Sequence, residues 1–257
     1  MASLHEMVDA LDEELRTREI PDYGGAVNGL QLANRGGVER VAVAVDFSRA
    51  AIAGAIAEAA SLLVVHHGMF WPGVQPIVGP VYERLRLLLD HDVAVYASHL
   101  PLDAHPTIGN NVRLAAELGL VPNVGFARYK TVDVGVAGET DLDTATLADR
   151  ARAFAAAWGG DVRTTPIAPG RRTRRWAICT GAGASSDTLR EASERGIDTL
   201  VVGEGPHHTA VEAVERGVVV VYAGHYATET LGVRAVGAWL EARFGTGWAF
   251  VGEPTGL

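Results

Sequence analysis

The sequence predicts an α/β fold, two related α/β lobes with mainly parallel sheets and a metal site between them. Short apolar runs without alternation, such as "LLVV" at 62–65, read as strands covered on both faces. They alternate with helical stretches of about a dozen residues, the rhythm of βαβ units. Part of the pattern also recurs: "LLVVHHG" (62–68) resembles "TLVVGEG" (199–205), and "VAVYASHLPLD" (93–103) resembles "VVVYAGHYATE" (219–229). These words put His99 in register with His225 and Asp103 in register with Glu229. They are short enough to arise from chance similarity between two βαβ units as well as from duplication, and the chemical consequence is the same either way.

In chain order, Leu4, Met7, Val8, Leu11 and Leu15 recur at helical spacing and predict a helix over 3–16. "ERVAVAV" (39–45) predicts a strand, the Ala-rich 48–60 a helix, and 61–65 a strand followed by a Gly/Pro loop at 68–80. A helix at 80–90, a strand at 93–98 and a helix at 108–119 complete the first lobe. In the middle, 129–139 and 174–183 read as strands separated by a helix at 143–157 and a short strand near 161–167. Alternation then resumes with helix 185–195, strand 198–202, helix 207–216, strand 218–222, helix 228–243 and strand 247–251. The lobes are placed at 1–125 and 126–257, with part of the C-terminal segment free to pack back on the first.

Composition narrows the function classes. A formal net charge of −9 and a longest basic run of only "RRTRR" (171–175) argue against nucleic-acid binding. A single cysteine, Cys179, excludes a disulfide within the chain and any multi-Cys zinc site; it reads as a small buried strand residue. The acidic, amphipathic start "MASLHEMVDALDEEL" does not read as a signal peptide, and no apolar run approaches the ~20 residues needed to span a bilayer. A cytoplasmic protein is expected.

The chemistry gathers at strand ends, where parallel sheets collect ligands. Four such ends carry His66-His67, His99 with Asp103, Gly203-Glu204 with His207-His208, and His225 with Glu229. Of nine histidines only His5 and His91 lie elsewhere; His105 sits just past Asp103. Each motif is weak alone, since paired surface histidines and exposed i,i+4 His–Glu pairs are common. Four on one sheet edge are a stronger signal. Imidazoles and carboxylates suit Zn, Mn, Fe or Ni. Adjacent histidines diverge in an extended chain, so His66 and His67 suit one ligand each for two ions roughly 3.5–4 Å apart. Asp103 and Glu229 would complete the shells, one of them bridging, and His225 adds a third imidazole. His99 is a candidate catalytic residue, moving a proton or orienting a ligand. Glu204 and His208 suit a supporting or substrate-facing role or a helix N-terminus; Asn28-Gly29 reads as a turn lining the site, and Asn110 and Asn111 as turn or cap residues.

With "VNGLQ" (27–31), "VVHHGMFW" (64–71), "SHLPLDAHPTIGNN" (98–111), "GEGPHHTAVEA" (203–213) and "GHYATETLGV" (224–233) in this order, the chain resembles the NIF-three-like family of dinuclear-metal proteins, also called GTP cyclohydrolase I type 2 homologues. The resemblance implies two divalent ions on His66, His67, Asp103, His225 and Glu229, the five reached above. It also implies a homohexamer, a trimer of dimers. Many relatives carry Pro where Gly68 stands, and the spacing from Asp103 to Glu204 fits the short form without an inserted domain. The function expected is metal-dependent hydrolysis of a small nucleotide-like or phosphoester substrate. The alternative is a non-catalytic metal chaperone, store or scaffold. No "GxxxxGK[ST]" loop is present to hold a triphosphate.

Overall fold

Apolar runs bounded by capping residues set the elements of the computed structural model, which describes residues 2–256. The chain opens with β1 (Ala2–Ser3) and α1 (Leu4–Glu14), where Ser3 and Glu6 form a reciprocal capping box. There follow β2 (Gly29–Leu32), β3 (Gly37–Val38), β4 (Val41–Asp46), α2 (Arg49–Ala57), β5 (Leu62–His67), α3 (Gly79–Asp90), β6 (Ala94–Ala97) and α4 (Leu100–Asp103). Next come α5 (Asn110–Glu117), β7 (Val124–Tyr129), β8 (Val132–Asp143), α6 (Thr144–Ala156), β9 (Arg163–Thr164), β10 (Arg172–Cys179) and α7 (Ser186–Glu194). The last elements are β11 (Thr199–Val202), α8 (His207–Glu215), β12 (Val219–Tyr222), α9 (His225–Phe244) and β13 (Trp248–Phe250). Ser48, Asp143 and Ser185 each accept a backbone N–H as the N-cap of α2, α6 and α7.

Two compact units result. One comprises Met1–Leu102 and Gly232–Glu253, the other Asp103–Leu231 and Pro254–Leu257. The first holds a sheet of order β13-β4-β5-β6-β2, parallel except where β2 joins β6. Its strands β4, β5 and β6 are buried almost throughout, as their unbroken apolar runs require, and they pack with Ile52, Ala55 and Leu88 into one core. The C-terminal strand β13 belongs here, beside β4.

The second unit holds a sheet of order β7-β8-β10-β11-β12-β9. Only β10-β11 and β11-β12 are parallel; β7-β8, β8-β10 and β12-β9 are antiparallel. Where the sequence predicts one strand over 129–139, the structure has a hairpin. The turn at Lys130 takes a left-handed φ of 49°, and Ala127 takes one of 57° between the ladder pairs Phe126–Gly135 and Arg128–Asp133, a backbone conformation that the sequence does not mark with glycine. Trp176, Ile178, Val201, Val221, Leu147 and Leu114 centre the core. Among the described residues no helix is long and apolar enough to cross a membrane.

Candidate metal centre

In the first unit, β5 does not stop before its histidines; it ends in them. His66 is buried, and its Nδ1–H donates to the Ser98 carbonyl at 2.8 Å. His67 is the ladder partner of Asp46 on β4, and its Nδ1–H donates to Asp46 Oδ1, also at 2.8 Å. His99, just past β6, donates from Nδ1 to Asp22 Oδ1 at 2.8 Å. Ligand atoms of His66, His67 and His99 all lie within 4.8 Å of one another. The rings of His66 and His67 are 4.8 Å apart, so they do not diverge as an ideal extended strand predicts. Acceptors on the two flanking segments, Ser98 just past β6 and Asp46 at the end of β4, turn the rings toward each other at the end of β5.

A carbonyl or carboxylate can only accept, so each of these Nδ1 atoms carries the proton and Nε2 carries the lone pair. Metal-ligating histidines are held this way. Asp22 shows how firmly His99 is set. Its buried carboxylate accepts from His99, from the Asn28 amide (2.8 Å), and from the backbone of Tyr23 (2.7 Å) and Leu100 (2.9 Å). Burial opposes its ionised form, but His99 and Asn28 outweigh burial and hold the carboxyl below the usual range. Asn28 also accepts from the His99 N–H at 2.8 Å, so it fastens this pair rather than merely forming a turn. Gly29, at φ 106°, opens β2 and pairs with Ala97. Gly68 leaves room for Gln31: a Cβ there would lie 2.4 Å from Gln31 Nε2.

In the second unit, α9 starts at His225, earlier than the sequence predicts, so that His225 and Tyr226 already lie on its first turn. His225 and Glu229 therefore share one helix face, with His225 Nε2 3.2 Å from Glu229 Oε2. His225 Nδ1 lies 2.8 Å from Glu204 Oε1, repeating the acceptor-on-Nδ1 arrangement. Burial lowers the His225 pKa, but the carboxylates of Glu229 and Glu204 prevail and raise it to about 9. Asp103 ends α4; its Oδ1 accepts from Asn110 Nδ2 at 2.8 Å and from Thr180 Oγ1 at 3.4 Å. Asn110 and Asn111 open α5 directly after its N-cap Gly109, and both are buried. Asn111 donates to the carbonyls of Asp103 (3.1 Å) and Val134 (2.7 Å) and accepts from Thr180 N (2.9 Å). It thereby fixes the backbone of Asp103 to β8 and to the end of β10.

Gly181, at φ 61°, makes the second cluster possible. A Cβ there would lie 2.1 Å from Glu229 Oε1 and 3.2 Å from His225 Nε2. Gly203 is as confined: its Cβ would meet the Gly181 carbonyl at 2.5 Å and His225 Cα at 2.8 Å.

The six predicted site residues thus divide between the units, His66, His67 and His99 in the first and Asp103, His225 and Glu229 in the second. His105 behaves differently. Its Nδ1 accepts from the N–H groups of Thr107 (3.3 Å) and Ile108 (3.2 Å), which closes a turn and reverses the tautomer set at His66, His67 and His99. His208 is exposed on α8. Cys179 is buried at the end of β10; burial and then the charges of Asp103, Glu191 and Glu229 push its thiol up to about 12, so it stays protonated. Sequence reasoning missed Asp22, Asp46 and Gly181. Asp46 had a signal, a carboxylate closing the apolar run "VAVAV"; Asp22, in the loop "PDYGG", had none.

The donors fit borderline divalent ions, being imidazole Nε2 atoms of set tautomer and buried carboxylates. Comparison with known proteins agrees with the sequence resemblance. The family model for DUF34/NIF3 (NGG1p interacting factor 3) matches residues 2–252. The chain belongs to the DUF34/NIF3 family. It is 38% identical over 254 residues to a Deinococcus radiodurans protein named GTP cyclohydrolase 1 type 2 homolog, covering 98% of this chain and 94% of that one. It is 41% identical to a protein of the same name from Halobacterium salinarum, over 96% of each. Among solved structures, TTHA1606 from Thermus thermophilus superposes with a TM-score of 0.82 at 37% identity, over 99% of this chain and 100% of that one. Protein ybgI, described as of unknown function, gives 0.88 at 32% identity over the same shares. Reduced HcgD from Methanocaldococcus jannaschii, at 20% identity and a TM-score of 0.81, shares the fold.

Proposed function

We propose that His66, His67, Asp103, His225 and Glu229 together hold two divalent ions, and that this DUF34/NIF3 member is a metal-dependent hydrolase of a small nucleotide-like or phosphoester substrate. The observation that carries the reading is the shared arrangement of His66, His67 and His225. Each has Nδ1 against a carbonyl or carboxylate, which presents Nε2 as the ligand atom. Two ions bound there would supply Lewis acidity at a substrate oxygen and a water acidic enough to attack near neutral pH. The protein's own part is positioning. Asp46 and Glu204 fix two of the ligand rings, and Asn110, Asn111 and Thr180 fix Asp103. Asp22 holds His99 with its Nε2 lone pair available to take a proton, the role we assign to His99. The family resemblance supports a cytoplasmic homohexamer built as a trimer of dimers, which light scattering tests.

The decisive experiment is metal analysis after chelation and reloading with Zn, Mn, Fe or Ni. The wild type should bind about two ions per chain, and His67→Ala or Glu229→Ala about one or none. Unchanged content in both variants would overturn the assignment. A screen of nucleotides and phosphoesters on the reloaded protein then tests hydrolysis. Two retained ions without turnover of any compound would favour the store or scaffold instead.

A further inference from the structure

In the first unit a large aromatic pair stands beside the imidazole cluster without being buried. Trp71 is 40% exposed and Tyr23 53% exposed. Their rings meet edge to face at 6.4 Å and 84°. Trp71 lies 4.6 Å from the His99 ring and 5.1 Å from the His67 ring, centroid to centroid, and Tyr23 lies 5.9 Å from His99. Side chains this large normally bury their area, and exposed ones next to polar chemistry mark ligand sites.

The pair is also held in place. Gln31 Oε1 accepts from Met69 N at 2.7 Å, while its amide donates to the carbonyls of Ala26 (3.1 Å) and Val27 (2.9 Å). One side chain thus ties the segment carrying Tyr23 to the segment carrying Trp71. Gly25 lets the two approach: a Cβ there would lie 3.0 Å from the Trp71 carbonyl. Fixing two exposed rings in this way lowers the ordering cost of binding a flat partner.

We propose that Tyr23 and Trp71 form a stacking wall for a planar aromatic heterocycle, so that the substrate is a small ring compound whose reacting bond lies in the ring or directly on it. Because Trp71 stands 4.6 Å from the His99 ring and 5.1 Å from the His67 ring, a base stacked on it would lie beside the imidazoles, without a long spacer between. The wall therefore recognises the ring and not a distal phosphate. The inference rests on reading the imidazole cluster as the reaction centre, and deepens it by naming the substrate class.

Guanosine, which has the ring but no phosphate, is the probe, with ribose as the control lacking the ring. Both are titrated calorimetrically into metal-loaded full-length protein whose metal content is assayed in parallel. Guanosine should bind saturably and ribose should not. Trp71→Ala should weaken guanosine about tenfold or more, while Trp71→Phe should stay within about threefold of wild type. Metal content should be unchanged in both. Guanosine binding that is equal in wild type and Trp71→Ala, or absent from metal-loaded wild type, overturns the wall. So does a change of assembly mass in Trp71→Ala with no change in guanosine affinity, because a second copy of the chain would then be what covers the pair. Binding of guanosine that depends on Trp71 in a chain that retains no metal would uphold the wall while removing the metal reading.

Discussion

The two halves of the internal repeat place the same skeleton under different chemistry. In the first unit β5 ends in His66-His67 and β6 leads to His99; in the second β11 leads to Gly203-Glu204 and β12 to His225. By register, His67 corresponds to Glu204 and His66 to Gly203. A position that supplies a candidate ligand in one unit supplies, in the other, the carboxylate that orients the neighbouring imidazole at 2.8 Å. His99 takes its carboxylate from outside the repeat, from Asp22. Gly203 has no room for the imidazole its counterpart carries, because the Gly181 carbonyl and the start of α9 fill that space. A βαβ scaffold thus fixes where strand-end side chains project, while the packed neighbours decide whether a position binds, orients or must be empty.

The largest effect should come from the paired imidazoles. His225→Ala should lose at least one of about two bound ions, whereas His99→Ala should keep both and lose turnover instead, as read by metal analysis beside an activity assay. Equal metal loss in the two would make the halves equivalent and recast His99 as a ligand. Next, Glu204→Gln and Gly181→Ala should each weaken metal binding about 10- to 100-fold in competition with a chromophoric chelator, the first by releasing the His225 ring and the second by displacing Glu229. Wild-type affinity in Gly181→Ala would show that Glu229 tolerates displacement. Third, Gly203→Ala should cost about 1–3 kcal/mol in urea unfolding of the metal-free protein, since the added methyl meets backbone. No loss would mean that the β11 end is free to shift.

The last comparison is a pH dependence of opposite sign with and without metal. In the metal-free protein the folded His225 pKa, about 9, lies above its ordinary 6.5. The stabilisation by Glu229 and Glu204 is therefore complete below about pH 6.5 and is lost as the pH rises through about 9. Metal affinity should rise over the same interval, because His225 must give up a proton to become a ligand. Urea midpoints and metal titrations from about pH 6.5 to 9 would check both. A metal affinity flat across that range would place His225 outside the centre.

Much of this was legible in the sequence because it is local. Unbroken Val/Ala/Leu runs mark β4, β5, β6, β11 and β12, and helices α2, α6 and α7 begin at capping residues. His66, His67 and His99 stand out as imidazoles at the ends of such runs, and ligand atoms of these three approach within 4.8 Å. The β7-β8 hairpin was not legible, because Ala127 and Lys130 take left-handed φ without being glycine. Nor were the residues that hold the rings. Asp22 lies 77 positions from His99, and Asn111 lies 69 from Thr180.

The sequence by itself determined the α/β alternation, the repeat and the imidazole and carboxylate inventory, since periodicity and residue chemistry are properties of neighbours along the chain. Only the tertiary structure decided which nitrogen of each histidine carries the lone pair, that Gly181 and Gly203 are required to be bare, and that Tyr23 stands against Trp71. A hydrogen bond, a steric limit and a ring contact each depend on where distant segments come to lie, and no spacing within one segment encodes that.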